Sequence, residues 1–170
     1  MSAQNRDEVL AEAVGLRTRG EAERARELLV ALADRCPDDS EVAYQTAWTH
    51  DTLGREAEAV PYYVRALAGT DLPDEDRRGA HVGLGSTFRV LGRYEEAVET
   101  LRAGVAEFPD DGALRTFLAM ALFNTGCHDE AMRLLLELLA TTSDDPYVRS
   151  YRRAIGHYAK DLREVVADGP

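Results

Sequence analysis

Apolar residues recur along the chain at intervals of three and four, and no stretch alternates with the period of two that a half-buried strand needs. The stretch that follows Gly92 is representative: Ala97, Leu101 and Val105 share one side, while Glu95, Glu99 and Arg102 lie on others. Residues four apart stand one above the other on a helix, so each such segment is read as an amphipathic helix with one buried stripe. The predicted class is all-α. Asp38-Asp39-Ser40, Asp110-Asp111 and Ser143-Asp144-Asp145 mark helix starts, because their side-chain oxygens satisfy free N–H groups and their charge suits the positive helix end. They lack the alternating donors and fixed glycine of a calcium loop, so capping is their expected role.

The helices repeat in a frame set by four glycines. Gly20, Gly54, Gly92 and Gly126 are spaced by 34, 38 and 34 residues. Five residues after each stands an alanine, Ala25, Ala59, Ala97 and Ala131, and nine after stand Leu29, Tyr63, Leu101 and Leu135. Pro37 and Pro109 follow two of the glycines by 17, whereas the corresponding prolines of the second and fourth units, Pro73 and Pro146, are displaced, which predicts longer connections there. A fixed period of this length is the mark of stacked helix pairs. From Pro146 a ninth helix is expected to run to about Asp168, with Tyr147, Tyr151, Ile155, Tyr158, Leu162 and Val165 on one stripe. A stacked array leaves its last apolar face bare, and this helix is expected to cover it.

On these residues the chain resembles the tetratricopeptide repeat family over essentially its whole length. The third unit carries the fullest signature, Leu84-Gly85, Phe88, Gly92, Tyr94, Ala97, Leu101 and Pro109. The other three depart at the Leu-Gly pair, with Glu12-Ala13, Thr46-Ala47 and Leu118-Ala119. The stretches from Ala47 to Glu56 and from Leu84 to Val98 are similar to small bacterial tetratricopeptide proteins to which no activity is attached, and that resemblance implies dimerisation and carries over nothing catalytic. It implies a right-handed superhelical solenoid of about four helix-turn-helix repeats plus a C-terminal capping helix. The expected organisation is a single domain over 1–170, with repeats at 6–39, 40–73, 74–111 and 112–145 and the cap at 146–168.

Composition narrows the partners. Of 170 residues 45% are hydrophobic and 30% charged, enough apolar material for a core. The formal net charge of -11 disfavours nucleic-acid phosphate and anionic membrane surfaces. The first residues hold no signal-peptide core, and no apolar run approaches the ~18 residues of a membrane span. A cytoplasmic protein is expected. Cys36 and Cys127 form no Cys-x-x-Cys pattern, so neither a disulfide framework nor a zinc site is expected. Lys160 is the one lysine among 20 basic residues, as GC-rich bacterial coding would give.

His50-Asp51 invites a metal-site reading, but neighbours on a helix point apart and no histidine precedes them, so a core His50 bonded to backbone is expected. Cys127-His128-Asp129 lies in the last turn, where an exposed Cys127 and a packing His128 are expected. Gly83-Leu84-Gly85-Ser86 fits neither a dinucleotide loop nor a nucleophile elbow and is read as a mid-helix segment whose glycines allow close helix approach. His81 and His157 have no partners at ligand spacing. No catalytic constellation, cofactor or metal is expected.

What remains is a surface. The resemblance places the first helix of each repeat along the concave face. Counting back 13, 10, 6 and 3 from each turn glycine gives its inner stripe: Asp7, Leu10, Val14, Arg17; Glu41, Tyr44, Trp48, Asp51; Gly79, Val82, Ser86, Arg89; Ala113, Thr116, Met120, Phe123, with Phe117 and Asn124 alongside. Trp48 stands where the fold needs no core residue and is expected as a binding anchor, with covered packing as its alternative. Relatives that clamp acidic tails carry basic and amide residues where this chain has Leu10, Val14, Gln45, Gly79 and Gly83, so a carboxylate clamp is not expected. The expected groove is Tyr44, Trp48, Asp51, Arg89, Phe117, Met120, Phe123 and Asn124, suited to an apolar or aromatic segment with a charge for Arg89 or Asp51. The leading function is a non-catalytic protein-protein interaction module, an adaptor or scaffold that takes a protein or peptide segment in its groove or pairs with its own copy as a homodimer. The alternative is a ligand-binding sensor or enzyme accessory subunit that uses the aromatic groove.

Overall fold

A computed structural model describes residues 3–165. Ten helices follow one another: α1 (Ala3–Thr18), α2 (Ala22–Arg35), α3 (Ser40–Thr52), α4 (Glu56–Ala68), α5 (Asp74–Val90), α6 (Tyr94–Glu107), α7 (Gly112–Asn124), α8 (His128–Thr142), α9 (Pro146–Ser150) and α10 (Arg152–Tyr158). Among the described residues there is no strand. Each helix through α8 packs on the next, and α3, α5 and α7 also touch the odd-numbered helix before them, the stacking of a right-handed superhelical solenoid.

The four frame glycines make the turns inside the pairs. Gly20, Gly54, Gly92 and Gly126 have φ of 86, 68, 75 and 81°, a region that costs an L side chain energy and glycine nothing. At each turn the next residue's N–H returns to the helix, Glu21 to the Leu16 carbonyl at 2.9 Å and Arg93 to that of Phe88 at 2.8 Å, which satisfies carbonyls the helix end would leave bare. Ala25, Ala59 and Ala97 are fully buried where the helices cross. The predicted caps form: Asp39 accepts from the Val42 N–H at 2.9 Å, Asp111 from Leu114 at 2.9 Å, and Asp145 from Tyr147 and Val148 at 2.8 and 2.9 Å.

Two expectations change. The extra residues of the 38-residue spacing fall mainly in α5, which has 17 residues against 13 in α3 and α7, so the connection that ends at Pro73 is longer than those before α3 and α7 by one residue only, and the connection before α9 is only Ser143-Asp144-Asp145, so Pro146 marks no longer one. The single helix expected from Pro146 is instead α9 and α10, broken at Tyr151, with Asp168 outside the described residues. Both short helices touch α8 and neither reaches α7. Of this segment's side chains only Ala159 is buried, while Tyr147, Tyr151, Tyr158, Leu162 and Val165 are exposed. Its aromatic stripe is therefore not core, because the segment lies along one side of α8 and leaves the stack's last slot open. No described helix is long and apolar enough to cross a membrane.

Candidate binding groove

The concave face starts with Arg17, sent across from α1 to α3. Its guanidinium donates to the Gln45 carbonyl at 3.2 Å, the Gln45 side-chain oxygen at 2.6 Å and the Thr49 hydroxyl at 3.1 Å, and lies 3.9 Å from the centre of the Trp48 ring. Burial lowers the pKa of Arg17, yet the side chain stays cationic and covers one face of the indole. Trp48 is 45% exposed, so its other surface is open to the groove. Tyr44, one turn earlier and 5.9 Å from Trp48 between ring centres, is only 7% exposed. It forms a wall: a Cβ on Gly79 would strike its hydroxyl, and burial pushes its pKa up to about 12. Gly83 admits the Tyr63 ring in the same way, which is why α5 approaches α3 and α4 so closely.

Asp51 is half-buried and turned into the wall. It accepts from the Tyr63 hydroxyl at 2.7 Å and from the Thr87 hydroxyl at 3.0 and 3.2 Å. Burial raises its pKa, and these two bonds hold it back. Together Tyr44, Trp48, Asp51, Tyr63 and Phe117 line a cavity of about 440 Å³.

The rest of the predicted stripe lies elsewhere. Arg89, Met120, Phe123 and Asn124 line a second cavity of about 470 Å³, whose other wall is α8, with His128, Ala131, Met132 and Leu135. Phe123 is 63% exposed and its ring leans on His128 at 4.7 Å. Nε of Arg89 is buried and meets no hydrogen-bond partner, and no carboxylate pairs with Arg89 among the described residues. The α8 side of this cavity was absent from the inner stripe. Its signal lay in the repeat frame, since Leu135 occupies a core position yet is 39% exposed among the described residues.

The remaining candidates sit apart from both cavities. His50 is buried, gives its Nδ1 proton to the Thr46 carbonyl at 2.8 Å and stacks on Tyr62 at 5.2 Å. His81 bonds the Thr100 carbonyl at 3.2 Å with Nε2 3.4 Å from Glu107, and burial lowers its pKa. Cys127 is exposed at the start of α8. Among the described residues no group of three metal-ligating side chains is placed around one point.

Solved structures that resemble the chain share this stacking. A mutant of MamA matches with a TM-score of 0.67 and 23% identity over 79% of this chain and 77% of that one. MamA from Desulfovibrio magneticus RS-1 gives 0.66 and 21%, covering 91% and 89%. The nearly identical TPR-like repeats of a Podosopora anserina protein described as a kinesin light chain give 0.67 and 22%, covering 92% and 87%. At such identity these show the fold alone. No curated protein matches the chain. The family model described as Tetratrico peptide repeat matches residues 40–162, the span that holds three of the four positive-φ turns, and the chain belongs to the tetratricopeptide repeat family.

Proposed function

We propose that the chain is a non-catalytic interaction module that holds a segment of a protein partner along its concave face. The first helix pair, ahead of the matched span, serves as its first repeat and supplies Arg17. The observation that supports this reading is Trp48: the chain's only tryptophan is nearly half exposed, clamped on one face by Arg17 and open on the other. An aromatic held rigid before binding loses little freedom on contact and makes a strong anchor. Phe117 and Val82 continue the apolar floor, and Asp51 is held too deep to act as more than a wall. Met120, Phe123, Asn124 and Arg89 form the far end of the same face. The segment that fits is apolar or aromatic.

The test is comparative capture from lysate with wild type, Trp48→Ala and Glu99→Ala as baits. A set of proteins retained by wild type and by Glu99→Ala but lost from Trp48→Ala is expected. Identical capture by all three, with all three folded, would sink the groove reading.

A further inference from the structure

The stack ends on a position that its own rules say is occupied. Nine residues after the turn glycine, Leu29, Tyr63 and Leu101 are 0, 2 and 0% exposed, each covered by the first helix of the following pair. Leu135, in the same place, is 39% exposed. Its flanking positions on α8, Met132 and Leu139, are exposed too, although their counterparts Val60, Val98, Leu67 and Val105 pack on the core. The slot between α7 and α8 is cut for one more helix, and α9 and α10 do not enter it.

The other end of the chain holds a helix of that type with its matching face free. The pairing is fixed by contacts already made inside the molecule. Gly83 of α5 receives Tyr63, and Thr87 of α5 bonds Asp51. Translated through the glycine frame, Gly83 and Thr87 become Ala11 and Gly15 of α1, while Tyr63 and Asp51 become Leu135 and Phe123. Small residues thus face large ones. Ala11 is exposed, and Gly15 sits inside α1, where it costs helix stability, with only the tip of its own Arg19 near the place of a Cβ. Among the described residues of one copy nothing accounts for that glycine. Charge agrees at Asp7, which the frame places where Gly79 lines the Trp48 cavity: it is exposed on α1, and the slot holds Arg89 with no carboxylate of its own.

We propose that the chain assembles head to tail, α1 of a second copy docking in the α7–α8 slot of the first and extending the solenoid. The contact is heterologous, so it repeats without closing and grows into a chain of copies. It deepens the groove reading at its far end, giving Phe123 to a second copy and leaving the Trp48 half to the partner.

The experiment is sedimentation velocity with light scattering on the full chain over rising concentration. Wild type is expected to pass beyond a dimer. Leu135→Arg and Ala11→Arg should each stay monomeric with unchanged helicity and, at a dilution where wild type is also monomeric, an unchanged melting temperature, and an equimolar mixture of the two should form a dimer and stop, since Ala11→Arg retains the slot and Leu135→Arg the α1 face. Gly15→Leu is a second block on the α1 side. A wild type that remains monomeric throughout, a dimer indifferent to Ala11→Arg and Gly15→Leu, or a mixture that stays monomeric would each overturn the assignment. Trp48→Ala should assemble as wild type does, so loss of partner capture and loss of assembly report on different ends of the groove.

Discussion

The guanidinium of Arg17 lies 3.9 Å over the ring of Trp48, and this contact ties the first helix pair to the floor of the groove. Arg17 is anchored by three acceptors on α3, so the indole is fixed from above before any partner arrives. Truncation of such an anchor loses about 2 kcal/mol or more of binding. Trp48→Ala is expected to show that loss by calorimetry against a captured partner, with circular dichroism and melting temperature near wild type.

Because Trp48 is the chain's only tryptophan, its emission reports on the groove directly. Partner binding should shift the emission to the blue and reduce acrylamide quenching. Arg17→Ala should move the free protein's emission to the red by uncovering the indole. Unchanged spectra on binding would place the partner elsewhere.

Two mid-helix glycines should respond with opposite signs. A Cβ at Gly85 would overlap Leu101, a fully buried side chain with nowhere to move, so Gly85→Ala should cost about 1–3 kcal/mol by overpacking. At Gly15 the added methyl meets only a flexible arginine tip, so Gly15→Ala should gain up to about 1 kcal/mol through helix propensity. Urea unfolding of the two variants checks both, at a concentration low enough to keep single copies apart.

Asp39 couples the first cap to pH. Burial works to raise its pKa, but the Arg6 hydrogen bonds, at 2.7 and 2.8 Å, and the Val42 N–H outweigh it, and the net shift is downward. A depressed carboxylate contributes stability above its unfolded pKa and loses it as pH falls through the folded one. Asp39→Ala should therefore cost about 1–2 kcal/mol at neutral pH. The deficit should shrink as the wild-type carboxyl protonates below about pH 4. Unfolding midpoints at the two extremes of pH decide it, and an equal deficit at both would remove the ionic part of the cap.

The sequence by itself determined the eight helices of the four pairs, their turns and their pairing. Gly20, Gly54, Gly92 and Gly126 were legible because a positive φ demands glycine locally, and Ala25, Ala59 and Ala97 because two helices crossing close together demand a small residue. The cap residues and the buried, backbone-bonded His50 were readable for the same reason, since their partners lie within one helical turn. What only the tertiary structure decided depends on atoms distant in sequence. Tyr44 and Trp48 look alike on a helical wheel, yet Gly79 and Tyr63 bury the first while Arg17 covers one face of the second, which stays 45% exposed. The inner stripe divides into two cavities because α8 forms one side of the second. Whether the last helices would cover Leu135 turned on the direction the chain takes after Asp145, which is set by packing on one side of α8 and not by the periodicity of Tyr147, Tyr151 and Tyr158.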